Sequence, residues 1–232
     1  MSKFLELKNI SKTFETNKKL QVIKNLSYNF HKGKIYSLMG PSGSGKSTLL
    51  NLISLIDRPS GGLIKFNNYQ INHDKKEEND ILRAKKIGIV YQQNNLLPDF
   101  TSLENIYLAG LSINNDKDLS ISKAKKLLKA IGLFNRADHY PSQLSGGEAQ
   151  RIAIARAIIN DPEIILADEP TGSLDMRTAK EIFNLLKNQK RSDRLIIFAT
   201  HNRFFGKKAD CLLEMKDGNI KSSNGWVFIA KF

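Results

Sequence analysis

Short apolar runs alternate along this chain with longer amphipathic stretches. Phe4 to Ile10, Gln21 to Phe30 and Leu63 to Phe66 mix alternation with β-branched and aromatic residues, and Gly61-Gly62 reads as a turn; the pattern predicts an antiparallel layer. Lys34 to Met39 is a compact apolar strand running into a glycine-rich loop, and Ser47 to Ile56 reads as the helix that follows. Ile87 to Tyr91, Ile164 to Ala167 and Leu195 to Thr200 are short and do not alternate, as expected of strands buried on both faces of a parallel sheet. Helical spacing returns between them, in Ile121, Ala124, Leu128 and Ile131, in the Ala- and Ile-rich stretch Gly146 to Ile159, and in Ala179 to Lys187. Strand, helix, strand succession predicts an α/β sheet with right-handed crossovers. From about Asn94 to Ile159 no run reads as a strand, which predicts an inserted helical subdomain within a core formed by residues 1–93 and 160–232.

Composition narrows the picture. A chain of 232 residues with 41% hydrophobic and 25% charged residues has the profile of a folded domain rather than of a disordered one. The single cysteine, Cys211, has no partner for an internal disulfide and no His/Cys cluster around it, which suits a reducing compartment. Met1 to Glu6 carries charges and no apolar stretch of signal-peptide length, so no export signal is read. No apolar run approaches the roughly 20 residues needed to span a bilayer, and a membrane role falls to a partner. The net charge of +13 invites a nucleic-acid or an anionic-membrane reading. The lysines, however, sit in small groups (Lys75 and Lys76, Lys85 and Lys86, Lys123 to Lys129) rather than in one basic and aromatic stripe, the pattern of solvated faces.

The chemistry concentrates in a few places. Gly40-Pro41-Ser42-Gly43-Ser44-Gly45-Lys46-Ser47 fits G-x-x-x-x-G-K-[ST] between a strand and a helix, the arrangement in which backbone N–H groups and a helix N-terminus cradle phosphates. Lys46 is placed to reach the β- and γ-phosphates of ATP, and the Ser47 hydroxyl to bind Mg²⁺. The apolar run Ile164 to Ala167 ends in Asp168 and Glu169, one acid placed to hold Mg²⁺ and the other to polarise the attacking water. Gln92 and His201 follow two other strands, and in an open parallel sheet all four residues converge beyond the strand ends. Leu144-Ser145-Gly146-Gly147-Glu148 opens a helix with an S-x-x-E capping box. Two glycines in its first turn cost helix stability, up to about 1 kcal/mol each, and make sense if an anion approaches the backbone there.

With these residues together, the chain resembles the ATP-binding subunits of ABC transporters from about residue 4 to residue 220. Gly40 to Ser47 resembles the Walker A motif, Gln92 the Q-loop, Leu144 to Glu148 the signature, Ile164 to Asp168 with Glu169 the Walker B motif and catalytic glutamate, Ser173-Leu174-Asp175 the D-loop and His201 the switch histidine. The resemblance implies a P-loop NTPase core with a mixed sheet, an antiparallel β layer and a helical subdomain. It implies an ATP- and Mg²⁺-dependent ATPase in which Phe14 stacks on adenine, the loop through Thr48 binds phosphates, Lys46, Gln92, Glu169 and His201 serve catalysis, and Ser47, Gln92 and Asp168 hold the metal. It also implies a head-to-tail dimer with each ATP held between one phosphate loop and Ser145, Gly146, Gly147 and Glu148 of the second copy, Asp175 lying at that interface. The segment Gln92 to Phe100 would help receive integral membrane permease subunits at the cytoplasmic face of the inner membrane.

Leu96 to Asn105 and Ala167 to Asp175 look most like the ATPases of lipoprotein-releasing complexes; macrolide-export, peptide-export and cell-division ATPases are the alternatives. No stable nucleic-acid partner is expected, because the chain lacks the coiled-coil insertions or tandem ATPase domains of soluble members. It departs from the general pattern at Glu148, where Gln is usual, and at Asn202, where Asp is usual.

Overall fold

In the computed structural model, which describes residues 3–15, 19–113 and 115–222, the chain opens with two long strands, β1 (Leu5–Glu15) and β2 (Lys19–Phe30). β3 (Ile35–Met39), buried along its whole length, leads through the glycine loop into α1 (Lys46–Ile53). Then come β4 (Gly61–Phe66), β5 (Tyr69–Gln70), α2 (Lys76–Lys86) and β6 (Ile87–Val90). Three helices follow, α3 (Ser102–Leu111), α4 (Lys117–Ala130) and α5 (Gly146–Ile158), and among the described residues no strand interrupts them. β7 (Ile164–Asp168), α6 (Met176–Lys187), β8 (Leu195–Thr200), the short α7 (Arg203–Gly206), β9 (Cys211–Lys216) and β10 (Asn219–Ser222) complete the chain.

The strands form two sheets. One is antiparallel in the order β2-β1-β4-β5; the other is mixed, in the order β10-β9-β3-β8-β7-β6, with β9, β3, β8, β7 and β6 parallel and β10 antiparallel at its edge. A core joining Leu5, Leu7, Ile23 and Leu26 of the first sheet to Leu49, Leu52 and Ile53 of α1 and to Leu38, Leu166 and Ile197 of the second holds the layers together. On the other face of the mixed sheet, Ile165 and Phe198 pack with Ile182, Phe183 and Phe205. The three consecutive helices bury their own cluster, including Ile106, Leu128, Ile152 and Ala155.

The three apolar runs sit where expected, β8 with the expected limits, and the differences have local causes. Gly61-Gly62 is not a turn but the start of β4, where Gly62 adopts φ +87° and a Cβ would fall 2.3 Å from the Asn9 carbonyl oxygen; the glycine admits a bulge where β1 shifts register. β1 runs on to Glu15 past that bulge, whose break in alternation hides the continuation. α1 stops at Ile53 because Leu55 turns left-handed at φ 62°. α6 starts a turn earlier than its apolar spacing suggests, because Asp175 caps it. The segment from residue 223 onward lies outside the described residues. No helix among the described residues is long and apolar enough to cross a membrane.

Candidate active site

The end of β3 sets the site. A Cβ on Gly40 would lie 2.2 Å from the Met215 carbonyl and 2.7 Å from Ser44 Oγ, so only glycine lets the chain leave the sheet there. Gly43 and Gly45 follow at φ +77° and +101°, and Gly45 stands at the N-cap of α1 with no side chain bonded to the helix end and no acid in the first turn. Thr101 caps α3, Asp116 α4, Ser145 α5 and Asp175 α6 through side-chain hydrogen bonds, and α2, which also lacks a side-chain cap, carries Glu77 and Glu78 in its first turn. The α1 amides therefore face outward with their partial positive charge uncompensated, the condition for anion binding. Lys46 is buried and folds back, its Nζ donating to the carbonyls of Gly40 at 2.9 Å and Pro41 at 3.0 Å. Ser44 Oγ is buried without a partner, whereas Pro41, Ser42 and Ser47 are exposed and Thr48 is half-buried.

Facing this loop, β7 delivers two acids. Asp168 shares a small cavity with Leu50 and Asn51 on α1, with Ser54 just beyond its end and with Tyr91, and its Oδ1 is buried with no partner. Glu169 adopts the left-handed φ 44°, its N–H donating to the Ala199 carbonyl at 3.1 Å, which turns the side chain off the strand end. One carboxylate oxygen lies 2.9 Å from His201 Nδ1; the other is buried and unpaired. Gln92 completes the group, its amide nitrogen 3.3 Å from where a Cβ on Gly172 would stand. Three strand ends, those of β6, β7 and β8, thus bring Gln92, Asp168, Glu169 and His201 to the side of the sheet that the loop occupies. Phe14 is 38% exposed, with the Lys12 ammonium 4.9 Å from its ring centroid.

Ser145 and Asp175 are the N-caps of α5 and α6, and Gly146 to Glu148 form the first turn of α5. Ser145 Oγ accepts from Glu148 N–H, and the Glu148 carboxylate accepts from Ser145 N–H at 2.8 Å and from Arg136 Nε at 3.0 Å. The Ser145 hydrogen bonds, with Arg136 beside them, hold the Glu148 carboxyl down to about 2. The two glycines differ. A Cβ on Gly147 would meet Thr178 Cγ2 at 2.4 Å, so this glycine is required by packing of α5 on α6 within the chain, whereas at Gly146 the nearest atom is Leu174 Cδ2 at 3.4 Å. Sequence reasoning gave both glycines to a ligand and missed Arg136, which is twelve positions from Glu148 and carries no motif. Asp175 accepts from the N–H groups of Arg177 and Thr178 and is held below the usual carboxylate range, first by the Thr178 side chain.

The sequence profile described as ABC transporter matches residues 23–172 of this chain. The chain belongs to the ABC transporter family. ABC-family relatives include the lipoprotein-releasing system ATP-binding protein LolD of Wigglesworthia glossinidia brevipalpis, 43% identical over 224 residues covering 95% of this chain and 97% of that protein. The protein of the same name from Rickettsia bellii is 41% identical over 226 residues, covering 96% and 99%. Among solved structures, an ATP-binding cassette in a dimeric, post-hydrolysis state bound to ADP and Pi superposes with a TM-score of 0.86 at 36% identity, over 96% of this chain and 100% of that one. The ABC cassette fold expected from the motifs is the fold observed, and as an ABC cassette the chain is an ATPase.

Proposed function

We propose that this chain is the ATP-hydrolysing subunit of a transporter that releases lipoproteins from the inner membrane, working as a pair on the cytoplasmic face beneath integral membrane subunits. The observation that carries the ATP site is the glycine-capped end of α1, left without a protein cap opposite two buried carboxylate oxygens that also lack partners. The names of the relatives support lipoprotein release, and the dimeric cassette bound to ADP and Pi supports the pairing.

In this reading the amides of residues 40 to 48 bind the phosphates, and Lys46 leaves the Gly40 and Pro41 carbonyls for the β- and γ-phosphate oxygens. Phe14 stacks on adenine with its face away from Lys12. Glu169 accepts a proton from the attacking water as the water oxygen bonds to the γ-phosphorus and the bond from that phosphorus to the β,γ-bridging oxygen breaks, releasing ADP and phosphate; His201, already on the Glu169 carboxylate, holds that side chain in place. Mg²⁺ fits the donors present, since Asp168 offers a buried carboxylate oxygen without a partner and Ser47 and Gln92 offer neutral oxygens. When bound, Mg²⁺ would neutralise charge on the phosphate oxygens. Ser145, Gly146 and Gly147 of a second copy close over the γ-phosphate from the other side, with Glu148 bracing the cap and Asp175 at the seam. Residues 94–159 form the helical subdomain that carries this closing surface.

Reconstitution with lipoprotein-releasing membrane subunits in lipoprotein-loaded proteoliposomes tests the whole. ATP should release acylated protein with the wild-type chain and not with Glu169→Gln; ATP turnover indifferent to the membrane subunits would overturn it.

A further inference from the structure

Arg156 lies near the far end of α5 from the signature serine. Arg156 is half-buried, and its guanidinium reaches backbone carbonyls rather than a carboxylate: Nη1 donates to Asn95 O at 2.6 Å and Nη2 to Asn94 O at 2.7 Å. Burial pulls its pKa down from the ordinary arginine value, so the two carbonyls are what compensates the charge. Both acceptors sit on a tightly folded loop in which Asn94 and Asn95 adopt left-handed φ of 40° and 47° and Asn95 N–H turns back to the Gln93 carbonyl. Asparagine tolerates that conformation, but two in succession need an outside constraint. A third donor comes from the same helix, where the buried Gln150 gives its Nε2 to Tyr91 O at 3.3 Å. Donors from α5 therefore grip the chain on both sides of Gln92, at Tyr91 and at Asn94 and Asn95.

We infer that Arg156 is a positioning residue for Gln92, and that α5 is a strut joining the two ATP sites that one chain serves. At one end Ser145 faces the partner's nucleotide; at the other Arg156 and Gln150 fix the loop that carries Gln92 into the chain's own site. A displacement of Ser145 on closure is thereby passed to Gln92 through a single helix. The planar fork of arginine satisfies two carbonyls at once, and a lysine keeps the charge while satisfying fewer of them in a fixed direction. The inference rests on the role proposed above for Gln92, and the test separates the two.

Steady-state ATPase of the full chain would be measured across a Mg²⁺ titration for wild type, Arg156→Lys, Gln92→Ala and the double variant. Arg156→Lys should lower kcat about tenfold, the scale of a small misplacement of a reacting group, with ATP affinity unchanged and more Mg²⁺ needed for half-maximal turnover. The double variant should match Gln92→Ala alone. Additive losses, or full turnover in Arg156→Lys beside impaired Gln92→Ala, would overturn the positioning role alone. Full turnover in Gln92→Ala beside impaired Arg156→Lys would overturn the role of Gln92 and this inference with it. If Arg156→Lys lowers the urea midpoint, native-state amide exchange decides: faster exchange confined to residues 92–96 supports the inference, and faster exchange throughout α5 overturns it.

Discussion

Helix α1 begins at a left-handed glycine with no side chain over its end, whereas α5 begins under a serine and glutamate box braced by Arg136. Both ends take part in the proposed ATP sandwich, and the difference divides the labour between them. The α1 end is incomplete as protein: its amides, Lys46, Asp168 and Glu169 have capacity left over that a phosphate group and a cation would absorb. The α5 end is complete before any ligand arrives, because Glu148 serves the Ser145 N–H and Arg136 at once. One is a binding site and the other a preformed surface brought to it. In the proposed sandwich the affinity for ATP therefore belongs to the loop, and the requirement for a second chain belongs to α5.

Changes at the two ends should separate along that line. Lys46→Ala should have the largest effect, weakening ATP binding at least about tenfold and abolishing turnover, since it removes the one buried cation of the loop; equilibrium binding of a fluorescent ATP analogue checks it, and unchanged binding would remove α1 from its role. Gly147→Ala should cost about 1–3 kcal/mol by forcing a methyl against Thr178 Cγ2, read as a lower urea midpoint with ATP affinity retained. Gly146→Ala should do the reverse, stabilising the free chain by up to about 1 kcal/mol because nothing crowds the site and alanine suits a helix, while slowing turnover by obstructing the partner's phosphate; a variant both more stable and fully active would deny that α5 closes on a nucleotide. The smallest effect belongs to Glu148→Gln, which keeps an acceptor for the Ser145 N–H and loses the charge opposite Arg136. Because the folded-state pKa of Glu148 is depressed from 4.5 to about 2, the wild-type advantage should be whole above pH 4.5 and shrink as the pH falls toward 2, as paired urea titrations at several pH values would show.

The sequence revealed the parts of this account whose signals are local. Residues 40 to 47 mark a candidate phosphate loop by spacing alone, and β6, β7 and β8 announce themselves as apolar runs too short for helices. What escaped depends on partners distant in the chain. α2 buries none of its side chains completely and so has little apolar stripe to read, while β9 owes its place to β3, far back in the sequence, and β10 to its pairing with β9. Gly62 signals a turn and marks a bulge, because what it avoids is the Asn9 carbonyl on a neighbouring strand. Gly147 likewise looked like an opening for a ligand and is also a point of close packing, a constraint set by Thr178, thirty-one positions away. The grip of Arg156 on residues 94 and 95 is invisible in sequence for the same reason.

The central claim is that one chain supplies binding and two supply turnover, and Glu169→Gln tests it most directly. Light scattering behind a sizing column should find this variant monomeric without nucleotide and dimeric with Mg-ATP, because the phosphate contacts survive while the water loses the carboxylate that activates it. A Glu169→Gln chain that binds ATP and stays monomeric at saturating Mg-ATP would contradict the shared site.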